Sequence, residues 1–274
     1  MLDNASKSLW FDFRLLRASG IPLSDRLKML ATKELALVKV VLGRPAVIHV
    51  GSAQVSVHSI SDVGTLESCV VDVYDELREA GVELHGSAVL DLGANIGQWT
   101  TALKLLYPDV HIIAVEPNPT VYEQLVRNTE RLDGVTCVCT AVGEEESGSV
   151  RLYRQPLTGM STLVPSGADS IADPVDVPLT TVDHLVSEPV EVIKIDVEGY
   201  EIEVLRGAAK LLRTAKYLIV EISLNRGRDD AMQVLAEVQK IVPGARIVKF
   251  GRPLGQRNLP TCQDVLISLR AEAA

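Results

Sequence analysis

A doubly wound α/β sheet of seven strands, Rossmann-like, with its last strand antiparallel and an accessory α+β segment in front, is the fold that this 274-residue sequence predicts. Three observations predict it. From residue 89 onward, short β-branched apolar runs alternate with longer amphipathic stretches, the pattern of βαβ units around a parallel sheet. The first run leads into a glycine loop and then a helix, at the crevice where doubly wound sheets bind ligands. The last two runs are joined by residues 251–263, which lack helical periodicity, so the final strand should return antiparallel as a hairpin.

Taken in order, the strands are expected at residues 88–92, 111–115, 135–142, 190–195, 217–222, 245–250 and 264–269. Helical periodicity fills 98–106, 120–132, 200–212 and 228–241, with Pro108, Gly134, Gly207 and Pro243 near the ends. Ahead of these, residues 1–85 read as an accessory cap on a main domain of residues 86–274. The cap holds helices over 9–16, 23–41 and 66–80 and a hairpin over 46–60 turning near Gly51. Leu9, Trp10, Phe13 and Leu16 make an apolar stripe flanked by Arg14 and Arg17. Such a stripe is expected to pack on the domain, with a membrane-surface helix as the alternative. Residues 143–189, rich in Gly, Pro, Ser and Asp, are too long for an ordinary connection and should be functional or disordered; around 159–174 they suit a mobile lid.

Composition narrows the possible functions. Hydrophobic residues at 47% and charged residues at 23% describe an ordinary globular protein. No apolar run approaches the ~20 residues that span a bilayer, and residues 1–13 offer no signal-peptide core, which points to a cytoplasmic address. A net charge of −9 argues against nucleic acid as a partner. Cys69, Cys137, Cys139 and Cys262 form no C-x-x-C pair and are expected to be buried, reduced thiols. A symmetric homodimer is the base-rate expectation for assembly.

The chemistry concentrates in two motifs. In Asp91-Leu-Gly93-Ala94-Asn95-Ile-Gly97 a dinucleotide fingerprint would need glycines at 95 and 98, where Asn95 and Gln98 stand, and no G-x-x-x-x-G-K-[ST] is present. An adenosine ligand without the phosphates remains. Glu116, nineteen residues after Gly97, ends the second strand where an acidic residue bonds ribose hydroxyls. The second motif is Lys194-Ile-Asp196-Val-Glu198-Gly199-Tyr-Glu201. Lys194 lies inside a strand covered on both faces and needs a carboxylate, for which Asp91 on the neighbouring strand is the expected partner. Asp196, Glu198 and Glu221 should converge on the crevice, where carboxylates resolve their repulsion by metal binding, proton sharing or pairing. Glu201 reads as a helix N-terminal residue and His184 as a surface residue.

These motifs, with Glu116-Pro117-Asn118, resemble the FkbM family of methyltransferases over about residues 85–225. The resemblance implies a class I, S-adenosylmethionine-dependent O-methyltransferase acting on a hydroxyl of a sugar or glycolipid, or on a polyketide-like or other small molecule. It implies that Gly93, Asn95 and Gly97 line the methionine part, Glu116 the ribose, and Ala141 and Val142 the adenine. Asp91, Ala94, Pro117, Asn118 and Asp196 complete the implied cofactor set. Ser161 and Thr162 resemble a family element near the substrate. Asp196, assisted by Glu198, is the expected general base; a magnesium ion on Asp196 and Glu221 is the alternative. Arg252 and Arg257 would suit an anionic substrate group.

Rival readings fare worse. No tyrosine has a lysine four residues on, as a short-chain oxidoreductase requires, and Asp196-Val-Glu-Gly replaces the Asn-Pro-Pro-aromatic of nucleic-acid amine methyltransferases. A non-catalytic adenosylmethionine-binding module would not need carboxylates at 196 and 221.

Overall fold

The computed structural model describes residues 2–18, 20–154, 163, 172–223, 231–251, 254–256 and 259–270. The chain begins with α1 (Leu2–Arg17), α2 (Leu23–Val41), a hairpin of β1 (Ala46–Val50) and β2 (Ala53–Val57), and α3 (Ile60–Val73). Ser59 and Asp62 close a capping box that starts α3: Asp62 N–H donates to Ser59 Oγ at 3.0 Å and Ser59 N–H to Asp62 Oδ2 at 2.9 Å. The expected helix over 66–80 therefore starts six residues earlier, and its last turn, Tyr74–Arg78, is a π-turn.

The rest of the chain follows. It contains β3 (Ala88–Leu92), α4 (Gln98–Leu106), β4 (His111–Val115), α5 (Pro119–Thr129), β5 (Val135–Val138) and β6 (Ala141–Val142). Next come β7 (Gly148–Arg154), β8 (Ala172–Thr180), α6 (Val182–Leu185), β9 (Val192–Ile195), α7 (Glu201–Gly207) and α8 (Ala209–Leu212). It closes with β10 (Tyr217–Ser223), α9 (Ala231–Ile241), β11 (Arg246–Phe250), β12 (Leu254–Gln256) and β13 (Leu259–Ser268). Seven strands form the central sheet in the order β11-β13-β10-β9-β3-β4-β5, with β12 paired to β13. β13 runs antiparallel to both neighbours and the other strands run parallel, as the sequence pattern requires.

Alternation along each strand separates two cores. Val89, Val192, Ile219 and Leu266 face α3, α4 and α5 and share one buried cluster with Leu66, Val70, Leu77, Leu103 and Leu125. Leu90, Ile193, Leu218, Val220 and Ile267 face the other way, onto Val204, Leu205, Val234 and Val238. The accessory segment thus packs into the first core. Lys33 fastens it further: fully buried, its ammonium pairs with Asp12, Glu34 and Glu67, which ties α1, α2 and α3 together.

Four expectations are corrected. The strand expected over 135–142 breaks at Cys139 and Thr140, because Ala141 and Val142 pair with Leu179 and Thr180 of β8 instead of continuing in the central sheet. The expected loop over 143–189 contains the β7–β8 hairpin: Leu152 and Val177 turn inward with Ala141, while Arg151 and Asp176 pair outside. Its proline and aspartate content hid the two-residue alternation. The stripe Leu9, Trp10, Phe13 and Leu16 points to solvent, and Phe11, Leu15 and Ala18 are the packed face of α1. The four cysteines are free but only half-buried. Among the described residues no helix is long and apolar enough to cross a membrane.

Because Leu66 on α3 is fully buried against the sheet-facing core, Leu66→Ala should lower the unfolding free energy by about 2–5 kcal/mol. Urea titration followed by circular dichroism measures it, and a loss under ~1 kcal/mol would show that α3 does not share the core.

Candidate functional site

The site forms where β3, β4, β9 and β10 end. After β3 the chain turns through left-handed backbone at Gly93 (φ 85°), Asn95 (φ 50°) and Gly97 (φ 88°) before α4 begins. The N–H groups of Gly93 and Ala94 both donate to the Val115 carbonyl, at 3.0 and 2.9 Å, which fixes the loop to the end of β4. Gly93 has a second reason to lack a side chain. A Cβ there would lie 1.8 Å from the Asp196 carbonyl oxygen, so β3 and β9 close on each other at this point.

Glu116 joins the loop to the next strand. Its Oε2 accepts the Asn95 N–H at 3.0 Å and its Oε1 the Asn118 N–H at 2.9 Å. Asn118 in turn caps α5 by accepting the Thr120 N–H. Glu116 is 6% exposed; burial pushes its carboxyl up to about 7, against the pull of the two N–H donors. Four lone-pair positions on a carboxylate exceed these two bonds, so acceptor capacity remains. Asn95 Oδ1, Gln98 Nε2 and Trp99 Nε1 are buried without partners beside the loop, polar atoms that a polar ligand would satisfy. Pro117 is half-buried next to Glu116. Ala141 and Val142, in contrast, pair with β8, the first packed in the small hairpin cluster and the second in the core under Val204 and Leu205, and it is Cys139 that reaches this corner, its Sγ 3.9 Å from the Pro117 carbonyl. Sequence reasoning missed Cys139 because one continuous strand was expected there.

A charged row crosses the sheet on one face. Lys194, 4% exposed, donates to Asp196 Oδ2 at 2.7 Å and stands 5.9 Å over the Trp99 ring. This corrects the expected partner: Asp91 is its register neighbour across β3 and β9, but Asp91 Oδ2 accepts from Thr100 Oγ1 at 2.6 Å and Oδ1 has no hydrogen bond. Burial works against the Lys194 charge, yet Asp196, then Asp91 and Asp264, hold it above the usual lysine range. Asp91 is raised by burial and drawn back by Lys194 and Thr100. Glu221 is raised well above the carboxylate range by burial and then by the charges of Asp196, Asp264 and Glu198.

Glu198 occupies left-handed backbone (φ 56°), an uncommon conformation for a residue with a side chain. Glu201 accepts the Gly199 N–H at 3.0 Å and starts α7, a helix-terminal role. His184 is exposed and pairs with Glu146 at 2.8 Å, away from the charged row. Among the described residues no three His, Cys, Asp or Glu side chains gather as a metal holder, and Asp196 is turned to an ammonium. Asp196 and Glu221, the alternative magnesium ligands, belong to no group of three such side chains among the described residues. Ser161, Thr162, Arg252 and Arg257, and nearly all of the segment read as a lid, lie outside the described residues.

Residues 91–243 match the methyltransferase FkbM domain, further along the chain than the motifs alone reach. The hexuronic acid methyltransferase AglP of Haloferax volcanii is 26% identical over 159 residues, covering 54% of this chain and 61% of that protein. Methyltransferase sdnD of Sordaria araneosa is 29% identical over 153 residues, covering 43% of this chain and 59% of its own. The chain thus matches about three fifths of the length of these curated relatives. A crystal structure of methyltransferase FkbM from Methylobacillus flagellatus superimposes with a TM-score of 0.48 at 16% identity, covering 76% of this chain and 55% of that one.

Replacing Lys194 by Met would leave buried Asp91 and the Asp196 carboxylate without their counter-charge, which costs about 3–5 kcal/mol. Urea unfolding should show the loss, smaller at pH 5 than at pH 8. A carboxylate stripped of its cation takes up a proton more readily, and a raised carboxyl pKa destabilises the fold as pH rises. A loss below ~1 kcal/mol at pH 8 would show that the ammonium is not the counter-charge.

Proposed function

This chain belongs to the FkbM methyltransferase family, and from that premise we propose that it transfers a methyl group from S-adenosylmethionine to a hydroxyl of a sugar or glycolipid. The observation that carries the reading is the Glu116 corner: a buried carboxylate fixed by two backbone N–H groups of the glycine loop and the next turn. In a doubly wound sheet, that position meets ribose hydroxyls. Asn95 and Gln98 stand where a pyrophosphate would need glycines, which favours adenosylmethionine over NAD.

S-adenosylmethionine supplies an electrophilic methyl on a sulfonium, and the products are a methyl ether, a neutral thioether and a proton. The protein has little leaving-group charge to stabilise, so its work is alignment and proton acceptance. Gly93, Ala94, Asn95 and Gly97 would hold the amino-acid end, and Glu116 with Pro117 and Asn118 the ribose end. Asp91 and Lys194 brace the loop from below. Ala141 and Val142, both buried, would support the adenine through Cys139 rather than touch it. Asp196 is the base: Lys194 engages its Oδ2, leaving Oδ1 for the acceptor hydroxyl. Glu198 and Glu221 flank it. The hexuronate-methylating relative and the charged row favour a glycan acceptor over a polyketide-like one.

Calorimetry should show micromolar binding of S-adenosylmethionine and none of NAD; tighter NAD binding would sink the reading. Because Glu116 stands at about 7, cofactor affinity should rise from pH 6 to pH 8 as the carboxylate ionises, and then level off. Glu116→Ala should flatten that profile and weaken binding by about 1.5–3 kcal/mol. Normal binding in this variant would displace Glu116 from the ribose. Asp196→Asn should bind cofactor normally but lose ~10²–10⁴-fold in turnover; near-normal turnover would remove Asp196 from the mechanism.

A further inference from the structure

The family match covers residues 91–243, yet one side of the charged row is built from residues outside that span. Asp264 on β13 is the register partner of Glu221 on β10, so the two side chains share one face. That face also carries Lys194, and the turn Tyr74–Arg78 covers it. Glu76 in this turn is 1% exposed, and neither carboxylate oxygen has a hydrogen bond. A Cβ on Gly251 would come within 2.2 Å of Glu76 Oε1 and 3.3 Å of Asp264 Cβ, which places both acids against one point of backbone. Asp264 Oδ1 is buried without a partner as well.

Unpartnered buried carboxyls are costly unless something supplies their hydrogen bonds. Burial pushes Glu76 well up, with Asp264 and then Asp72 pushing further. Asp264 stands at about 7, raised by burial and by Asp196 and Asp72 against the pull of Lys194. The cations nearest to Glu76 are already committed: Lys194 to Asp196, and Lys249 to Glu79 and the Asp75 carbonyl. Among the described residues no three acids are arranged to hold a metal. Hydrogen-bond donors on an organic ligand would supply partners for these oxygens.

We propose that Asp264 and Glu221, backed by Glu76 as a positioning residue, form an acceptor subsite for a neutral, polyhydroxylated sugar that discriminates against acceptors bearing a carboxylate or phosphate. Carboxyl groups accept hydrogen bonds and, when protonated, donate one, which matches alcohol groups that do both. An anionic acceptor would instead be desolvated beside these acids, where the nearby Lys194 and Lys249 are already paired. This inference rests on the sugar-methyltransferase reading and sets the chain apart from its relative that acts on a hexuronic acid.

The test uses the whole chain loaded with S-adenosylhomocysteine. Dissociation constants for the methyl α-glycosides of glucose, mannose and galactose are compared, by saturation-transfer NMR, with those of the matching hexuronides. At least one neutral glycoside should bind ~10-fold or more tightly than its hexuronide. The combined Glu76→Gln and Asp264→Asn variant should shrink that ratio to ~3-fold or less while holding S-adenosylhomocysteine as before. Hexuronides binding as well as the neutral sugars, no binding of either class, or an unchanged ratio in the variant would each overturn the subsite. The wild-type comparison needs no variant to fold. If S-adenosylhomocysteine itself fails to bind, the methyltransferase reading falls; if it binds and hexuronides are preferred, only this inference falls.

Discussion

The ion pair between Lys194 and Asp196 is the interaction on which the rest of the site depends. A parallel sheet covered on both faces has no solvent to screen a lysine, so the ammonium persists only because carboxylates surround it. In return it allows acids from β3, β9, β10 and β13 to approach one another without all taking up protons. The same pair fixes where β9 stops. Asp196 follows the last strand residue and folds back two positions to meet Lys194, and its carbonyl then lies where any side chain on residue 93 would collide. Glycine loop and charged row are thus one constraint seen from two strands.

Around that centre, division of labour follows the chain. The segment that matches the family carries the loop, Glu116 and Asp196, the groups suited to hold and present a methyl donor. The segments before and after it carry Glu76 and Asp264, which lie on the face shared by Lys194 and Glu221. On the proposed reading, donor and acceptor recognition are housed in different stretches of sequence.

Much of this was legible in the sequence, for identifiable reasons. The βαβ alternation fixed β3, β4 and α4 to the residue, because burial on both faces leaves unbroken apolar runs between clear punctuation. The return of β13 was legible from what residues 251–263 lack. The direct partner of Lys194 was not, since strand periodicity points across the sheet to Asp91 and says nothing of a side chain that leaves the pleat at the strand end. The outward stripe on α1 failed for a related reason: two apolar faces compete on that helix, and only packing against α3 selects Phe11 and Leu15. Nor could the π-turn be seen, because residues 60–80 carry no proline to break a plain helix, and the extra residue is inserted by tertiary contact.

The placement of β13 bears on how the protein reaches its active shape. This strand, residues 259–268, lies between β10 and β11, both made before it during synthesis. Until it arrives, β10 has an open hydrogen-bonding edge and Glu221 lacks its neighbour. Pairings so distant in sequence close slowly, since loop entropy is lost before contacts form. A chain at that stage has the ends of β3, β4 and β9 in place beside an unfinished sheet, and open strand edges favour edge-to-edge association. Insertion of this one late strand covers the β10 edge and brings Asp264 beside Glu221 in the same event.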